Sequence, residues 1–238
     1  MNRLGWIVIM SILVAVAIKF FMQPVKKISN MVAMQCSCSL DIILSSEQQK
    51  KITQFIREFH QSTQNPSQVI EKVVQTFPEI KEMQAEICSA DTICFNAQAV
   101  KPIFLLNNDL IISDTHASFK KENLDSAIIA LLPKIYSKKN DQYQDMIDFI
   151  NQTPQELTKN NTISWMDKDL IIFRPITNEN IAFLVSISLI PSLELFQNCY
   201  ELYNQKLKQS FKKNNKTMVE YDIRFKNQII VRFGGAHG

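Results

Sequence analysis

Five cysteines and three histidines are the side chains best suited to covalent or metal chemistry in this chain, and their spacing limits what they could do. His60, His116 and His237 stand far apart, and none has a neighbour at metal-ligand spacing. His60 falls on the wet side of its predicted helix, and His237 lies in the tail. No serine or cysteine sits in a nucleophile-elbow context, and no pair of carboxylates is singled out. Only 4 glycines in 238 residues, with no G-x-G-x-x-G or P-loop pattern, argue against a phosphate-cradling loop. These residues point away from an enzyme, and neither a cofactor nor a metal is expected.

Thiols are the one exception. Cys36-x-Cys38 is a weak redox or metal signal, because two isolated sulfurs make an incomplete site. Cys88 and Cys94 flank the turn Ser89-Ala90-Asp91-Thr92 on the outward parity of a predicted hairpin. That geometry permits a disulfide if the Cα atoms come within about 7 Å. The other reading is two free thiols in a cell that does not use disulfides; Cys199 leaves the count odd.

A second kind of chemistry is backbone pairing, and the end of the chain is built for it. Val219, Tyr221, Ile223, Phe225, Ile229, Val231 and Phe233 share one parity, broken only by Asn227. Glu220, Asp222, Arg224, Lys226, Gln228 and Arg232 share the other, with Ile230 out of place. Period 2 predicts a strand with one buried and one wetted face. A last strand is often an edge, and an open edge is a template for a partner's strand. An ordinary closing strand fits the same pattern.

The elements that must position these residues begin with a membrane segment. Leu4 to Met22 is apolar apart from Gly5, Ser11 and Lys19, close to the twenty or so residues that cross a bilayer. Trp6, Phe20 and Phe21 suit the aromatic belts, and Lys19 can snorkel. The competing reading is a cleaved signal ending at Ala15-Val16-Ala17, but the apolar run continues past that site. Either way the bulk of the chain is expected on the extracytoplasmic side, behind a cytoplasmic segment of residues 1–3 and an anchor at 4–22. A net charge of +3 is too slight to argue for nucleic acid.

The exported part divides into two blocks. The first, 34–104, reads strand, helix, helix, strand, strand. Ser45 or Ser46 caps the first helix, with Gln48 or Gln49 as capping-box partner, and Ile52, Phe55, Ile56 and Phe59 recur at helical spacing. Asn65 and Pro66 open the second helix, and Pro78 closes it after Phe77. Met83, Ala85 and Ile87, then Ile93, Phe95, Ala97 and Ala99, alternate as strands. The second block, 105–233, is strand-rich, with helices at Leu124–Leu132, around Tyr143–Ile150, and after Pro191. Residues 234–238 are expected as a disordered tail. The expected class is α+β, with a mainly antiparallel sheet and flanking helices in the second block.

This order of parts resembles the FtsQ/DivIB family of bacterial cell-division proteins. The first block is similar to a POTRA domain, with Phe77-Pro78-Glu79-Ile80-Lys81 at the turn from its second helix and Lys101-Pro102-Ile103-Phe104 at its exit. Leu131-Leu132-Pro133 resembles the family's leucine-proline step. Leu195-Phe196, Glu201-Leu202-Tyr203 and Tyr221-Asp222-Ile223-Arg224-Phe225 are similar to its last helix and the approach to its closing strand. Asp114 to Phe119 departs from the family pattern, with Ala117 where glycine belongs.

The resemblance implies a non-enzymatic scaffold of the divisome, anchored by one helix in the cell inner membrane at the division septum. Partners similar to FtsB and FtsL would join the β domain, and other divisome components the POTRA-like unit. Arg224, Phe225, Asn227, Ile229, Val231, Arg232 and Phe233 are the expected partner-binding residues. Asp222–Arg224 reads equally as a structural pair on the outer face. A POTRA-bearing envelope adaptor or secreted binding module outside cell division is the alternative.

Overall fold

The computed structural model describes residues 35–89, 92–138, 142–178, 180–207, 218–226 and 228–234. The expected anchor at 4–22, Asn227 and the tail beyond Gly234 lie outside them. Among the described residues no helix is long and apolar enough to cross a membrane. Among the described residues the protein is a mixed α+β structure with two sheets and two apolar cores.

The first sheet holds β1 (Gln35–Leu40), β2 (Ile80–Ser89) and β3 (Thr92–Ala99) in the order β1-β3-β2. β1 runs parallel to β3, which requires a crossover; helices α1 (Ser46–Thr63) and α2 (Pro66–Thr76) lie on that path. Ser45 caps α1, its hydroxyl accepting from Gln48 N–H at 3.3 Å. Asn65 caps α2 with Pro66 behind it. Ile52, Ile56, Val69 and Val73 are buried against Met83, Ile93, Phe95 and Phe77. Alternation on β2 places Ile87 inward, yet it is 76 % exposed, while its partner Ile93 on the central strand β3 is buried, because β2 is an outer strand of this sheet.

His60 corrects another expectation. It is buried, its ring set edge-on to Phe95 at 5.7 Å. It lies four residues after Ile56, and i to i+4 is one helix face, so the core stripe of α1 runs through it.

The second sheet has nine strands: β4 (Pro102–Leu106), β5 (Leu110–Ser113), β6 (Ser118–Lys120), β7 (Lys134–Ser137), β8 (Asn161–Asp167), β9 (Leu170–Pro175), β10 (Ile181–Val185), β11 (Val219–Phe225) and β12 (Gln228–Phe233). Their order is β12-β11-β10-β9-β8-β7-β4-β5-β6. Pairs β4/β7, β7/β8 and β10/β11 are parallel and the others antiparallel. A short helix α3 (Ser126–Leu131) precedes β7. The parallel step from β7 to β8 is crossed by α4 (Tyr143–Gln152) and α5 (Gln155–Asn160), and that from β10 to β11 by α6 (Leu193–Leu202). Strands β6 and β7 and helix α5 carry too few residues for periodicity to announce them.

Period 2 explains the seam between the two blocks. On β4 and β5, Phe104, Leu106 and Ile112 face the large core with Trp165, Phe173 and Phe183. Their neighbours Leu105 and Ile111 face the core of the first block, joined by Phe119 and Leu124. Backbone bonds stitch the same junction: Ser45 N–H to Asn123 O at 2.9 Å and Asp125 N–H to Ile43 O at 2.8 Å. The expected reciprocal capping-box bond is absent because Asn123 already takes the Ser45 N–H; the Gln48 side chain, three residues on, donates instead to Glu79.

Cys88 and Cys94 are joined in a disulfide, Cα atoms 5.8 Å apart, across the β2/β3 hairpin. The bridge spans six positions, so constraining the unfolded chain contributes about 2 kcal/mol. Cys88→Ala/Cys94→Ala is expected to lower stability by that amount. Chemical denaturation with and without reductant checks it, since reductant should then affect only the unmodified chain.

Candidate functional site

The terminal run folds as a hairpin rather than one strand. β11 and β12 pair antiparallel, with Lys226 and Asn227 between Phe225 and its partner Gln228. Val219 lies opposite Phe233 and Tyr221 opposite Val231, so each pair joins residues of one parity. Over residues 219–222 and 230–233 both arms therefore show their odd-numbered side chains on the same face, and the register shifts between Asp222 and Phe225, where Phe225 meets Gln228. Asn227, the break in the period-2 pattern, lies outside the described residues.

On the core face β11 is fully committed. Val219, Tyr221 and Ile223 are buried, and the Tyr221 ring stacks on Phe183 at 5.5 Å. Phe183 in turn stacks on Phe196 of α6 at 4.0 Å. Burial pushes the Tyr221 hydroxyl up to about 12 and the Cys199 thiol, also against this core, up to about 11. The Tyr221 hydroxyl has no hydrogen-bond partner among the described residues.

The opposite face carries a charge trio. Asp222 has no solvent exposure. Its carboxylate accepts from Arg224 Nε and Nη2, both at 2.8 Å, and from Arg232 Nη2 at 3.1 Å. Arg224 also donates to Asp169 O at 3.2 Å, tying the hairpin to the β8/β9 turn. Arg224's hydrogen bonds are the main reason the Asp222 carboxyl lies below its usual range, and the pairing raises Arg224. Arg224 and Arg232, expected as charge partners for another chain, are both engaged with Asp222.

A group with a depressed folded pKa contributes stability above its unfolded value, near 4, and loses it as pH falls through the folded pKa. Asp222→Asn is therefore expected to cost about 2 kcal/mol at pH 7, a hydrogen-bonded charge lost from a buried position. The gap to the unmodified chain should shrink as pH drops below about 4. Urea denaturation of both chains at pH 7 and pH 3 checks the sign.

β12 is held differently. Among the described residues it pairs with β11 alone and ends the nine-stranded sheet. Gly234 N–H donates to Met218 O at 3.0 Å. Antiparallel ladders alternate, so Arg232 and Ile230 point their amides inward to β11 and Val231 points its amide outward. Ile229, Ile230 and Phe233 are 40–43 % exposed, and Phe225 at the hairpin end is 45 % exposed. Val231 is half-buried and packs against the core.

Beside the hairpin end lies an open groove of about 600 Å³. Leu189 and Ile190 wall it from the segment before α6, Leu195 from its first turn, and Ile223, Phe225 and Ile229 from the hairpin. Nothing in the spacing of Leu189, Ile190 and Leu195 marked them as site residues, since their juxtaposition with the hairpin is tertiary. The arrangement offers an outward amide and carbonyl row, exposed aliphatic and aromatic side chains, and a pocket for one side chain of an added strand. The Cys88–Cys94 bridge belongs to the other block and takes no part in it. Among the described residues no cluster of three metal-ligating side chains occurs. No protein-family model matches this chain, and no curated protein matches it at a significant level.

Proposed function

We propose that this protein is a non-enzymatic scaffold that captures a partner by strand addition to β12. The observation that carries the reading is the open edge: an outward Val231 amide, exposed Ile229 and Ile230, and the adjoining groove. Main-chain hydrogen bonds would supply affinity, and alternate side chains entering the groove would supply register. The resemblance of the sequence to FtsQ/DivIB extends the proposal. The chain then acts in the divisome at the septum, anchored by residues 4–22, with partners similar to FtsB and FtsL on β12 and other divisome proteins on a POTRA-like first block.

The test is localisation of a fusion carrying the fluorophore at the N-terminal side, in dividing cells of the source organism. A midcell band that disappears when the chain is truncated before Thr217 supports the scaffold. Uniform envelope fluorescence, or a free secreted product, would move the assignment to an envelope adaptor outside cell division.

A further inference from the structure

A second site lies in the first block, and it stands independently of the β12 reading. Glu79 follows Pro78 at the turn between α2 and β2, where its carbonyl accepts from Val100 N–H. The side chain has no solvent exposure. Gln48 Nε2 donates to Oε1, while Oε2 has no partner among the described residues. A buried polar oxygen without a partner is unfavourable enough to need an explanation. Here the residue lines an open groove of about 420 Å³, shared with Gln48, Lys51, Phe55, Glu58 and Phe77.

The lining selects one chemistry. Phe55 and Phe77 meet edge to face at 5.2 Å, offering aromatic surface. Glu79 lies at the inner wall and Glu58 is exposed on α1, where it accepts from Gln54. Carboxyl oxygens beside aromatic rings suit a planar cation that donates in several directions and stacks on a ring. We propose that this groove takes the guanidinium of an arginine presented by a peptide segment of a partner protein, with Glu79 Oε2 as its recognising acceptor. Lys51, which also lines the groove, opposes any entering cation, the guanidinium included.

The full chain in detergent micelles, its phenylalanines replaced by 4-fluorophenylalanine, provides the readout. Phe55 and Phe77 resonances are assigned by Phe55→Leu and Phe77→Leu. A blocked glycyl-arginyl-glycine tripeptide is expected to shift both saturably. Its citrulline analogue, equal in shape but uncharged, should bind at least tenfold more weakly, and Glu79→Gln should reduce arginine-peptide affinity at least tenfold. No saturable shift, an equal response to citrulline, or unchanged affinity in Glu79→Gln overturns the proposal. An equal response to spermidine also overturns it, identifying a soluble-polyamine site instead. Should Glu79→Gln fail to fold, the arginine–citrulline comparison decides, and Lys51→Gln must leave binding intact or strengthen it.

Discussion

Phe183→Ala is expected to remove about 3–5 kcal/mol of stability, the usual loss when a buried phenylalanine is truncated and the site cannot collapse. Collapse is hindered because Phe183 is packed on three sides by rings: Phe196 at 4.0 Å, and Tyr200 and Tyr221 at 5.5 Å. These come from α6 and β11, so the cavity would open between the helix and the hairpin that carries the β12 edge. For a chain of this size the loss corresponds to a fall of roughly 10 °C in Tm. Thermal unfolding measures it, and an unchanged midpoint would mean that this aromatic stack bears little load. Phe183→Leu, which keeps most of the volume, should recover more than half of the loss.

Val231→Pro should lower partner capture roughly 100-fold, equivalent to about 2.7 kcal/mol of binding free energy. Proline deletes the outward amide and places a ring where an added strand must lie. The folded chain should tolerate it, because the Val231 amide makes no ladder bond to β11. Val231→Ala is the control for the lost side chain, and the two variants should melt within a few degrees of each other. Arg232→Pro supplies the contrast. Its amide points inward and its guanidinium reaches Asp222, so that variant should destabilise the hairpin itself. Co-purification with the proposed FtsB-like partner separates the cases. Capture unaffected by Val231→Pro would exclude strand addition at this edge.

These two substitutions concern one hairpin seen from its two sides. β11 is secured by an aromatic core below and a buried carboxylate with two arginines above. β12 draws its own support almost entirely from β11, which leaves its far edge exposed without loosening the sheet. A stable platform with an open rim suits capture of an extended segment, since little ordering remains to oppose binding.

Local pattern in the sequence determined which segments become helix or strand wherever the signal is a period or a cap. Ser45 and Asn65 open their helices as expected, Ile52 and Ile56 face inward, and the alternation from Ile93 to Ala99 is a strand. Those features depend on a few neighbouring residues, so they are legible without partners. Tertiary structure alone decided the rest. The alternation from Val219 to Phe233 reads the same for one strand as for a hairpin, and only pairing made Val231 an edge residue. His60 became buried because Phe95 came to meet it, and Asp222 became the centre of an ion cluster because β12 brought Arg232 across. Glu79 is one carboxylate among many until Gln48 and two phenylalanines close around it. Periodicity records which face a residue takes, whereas edge, pocket and charge partner depend on segments far away along the chain.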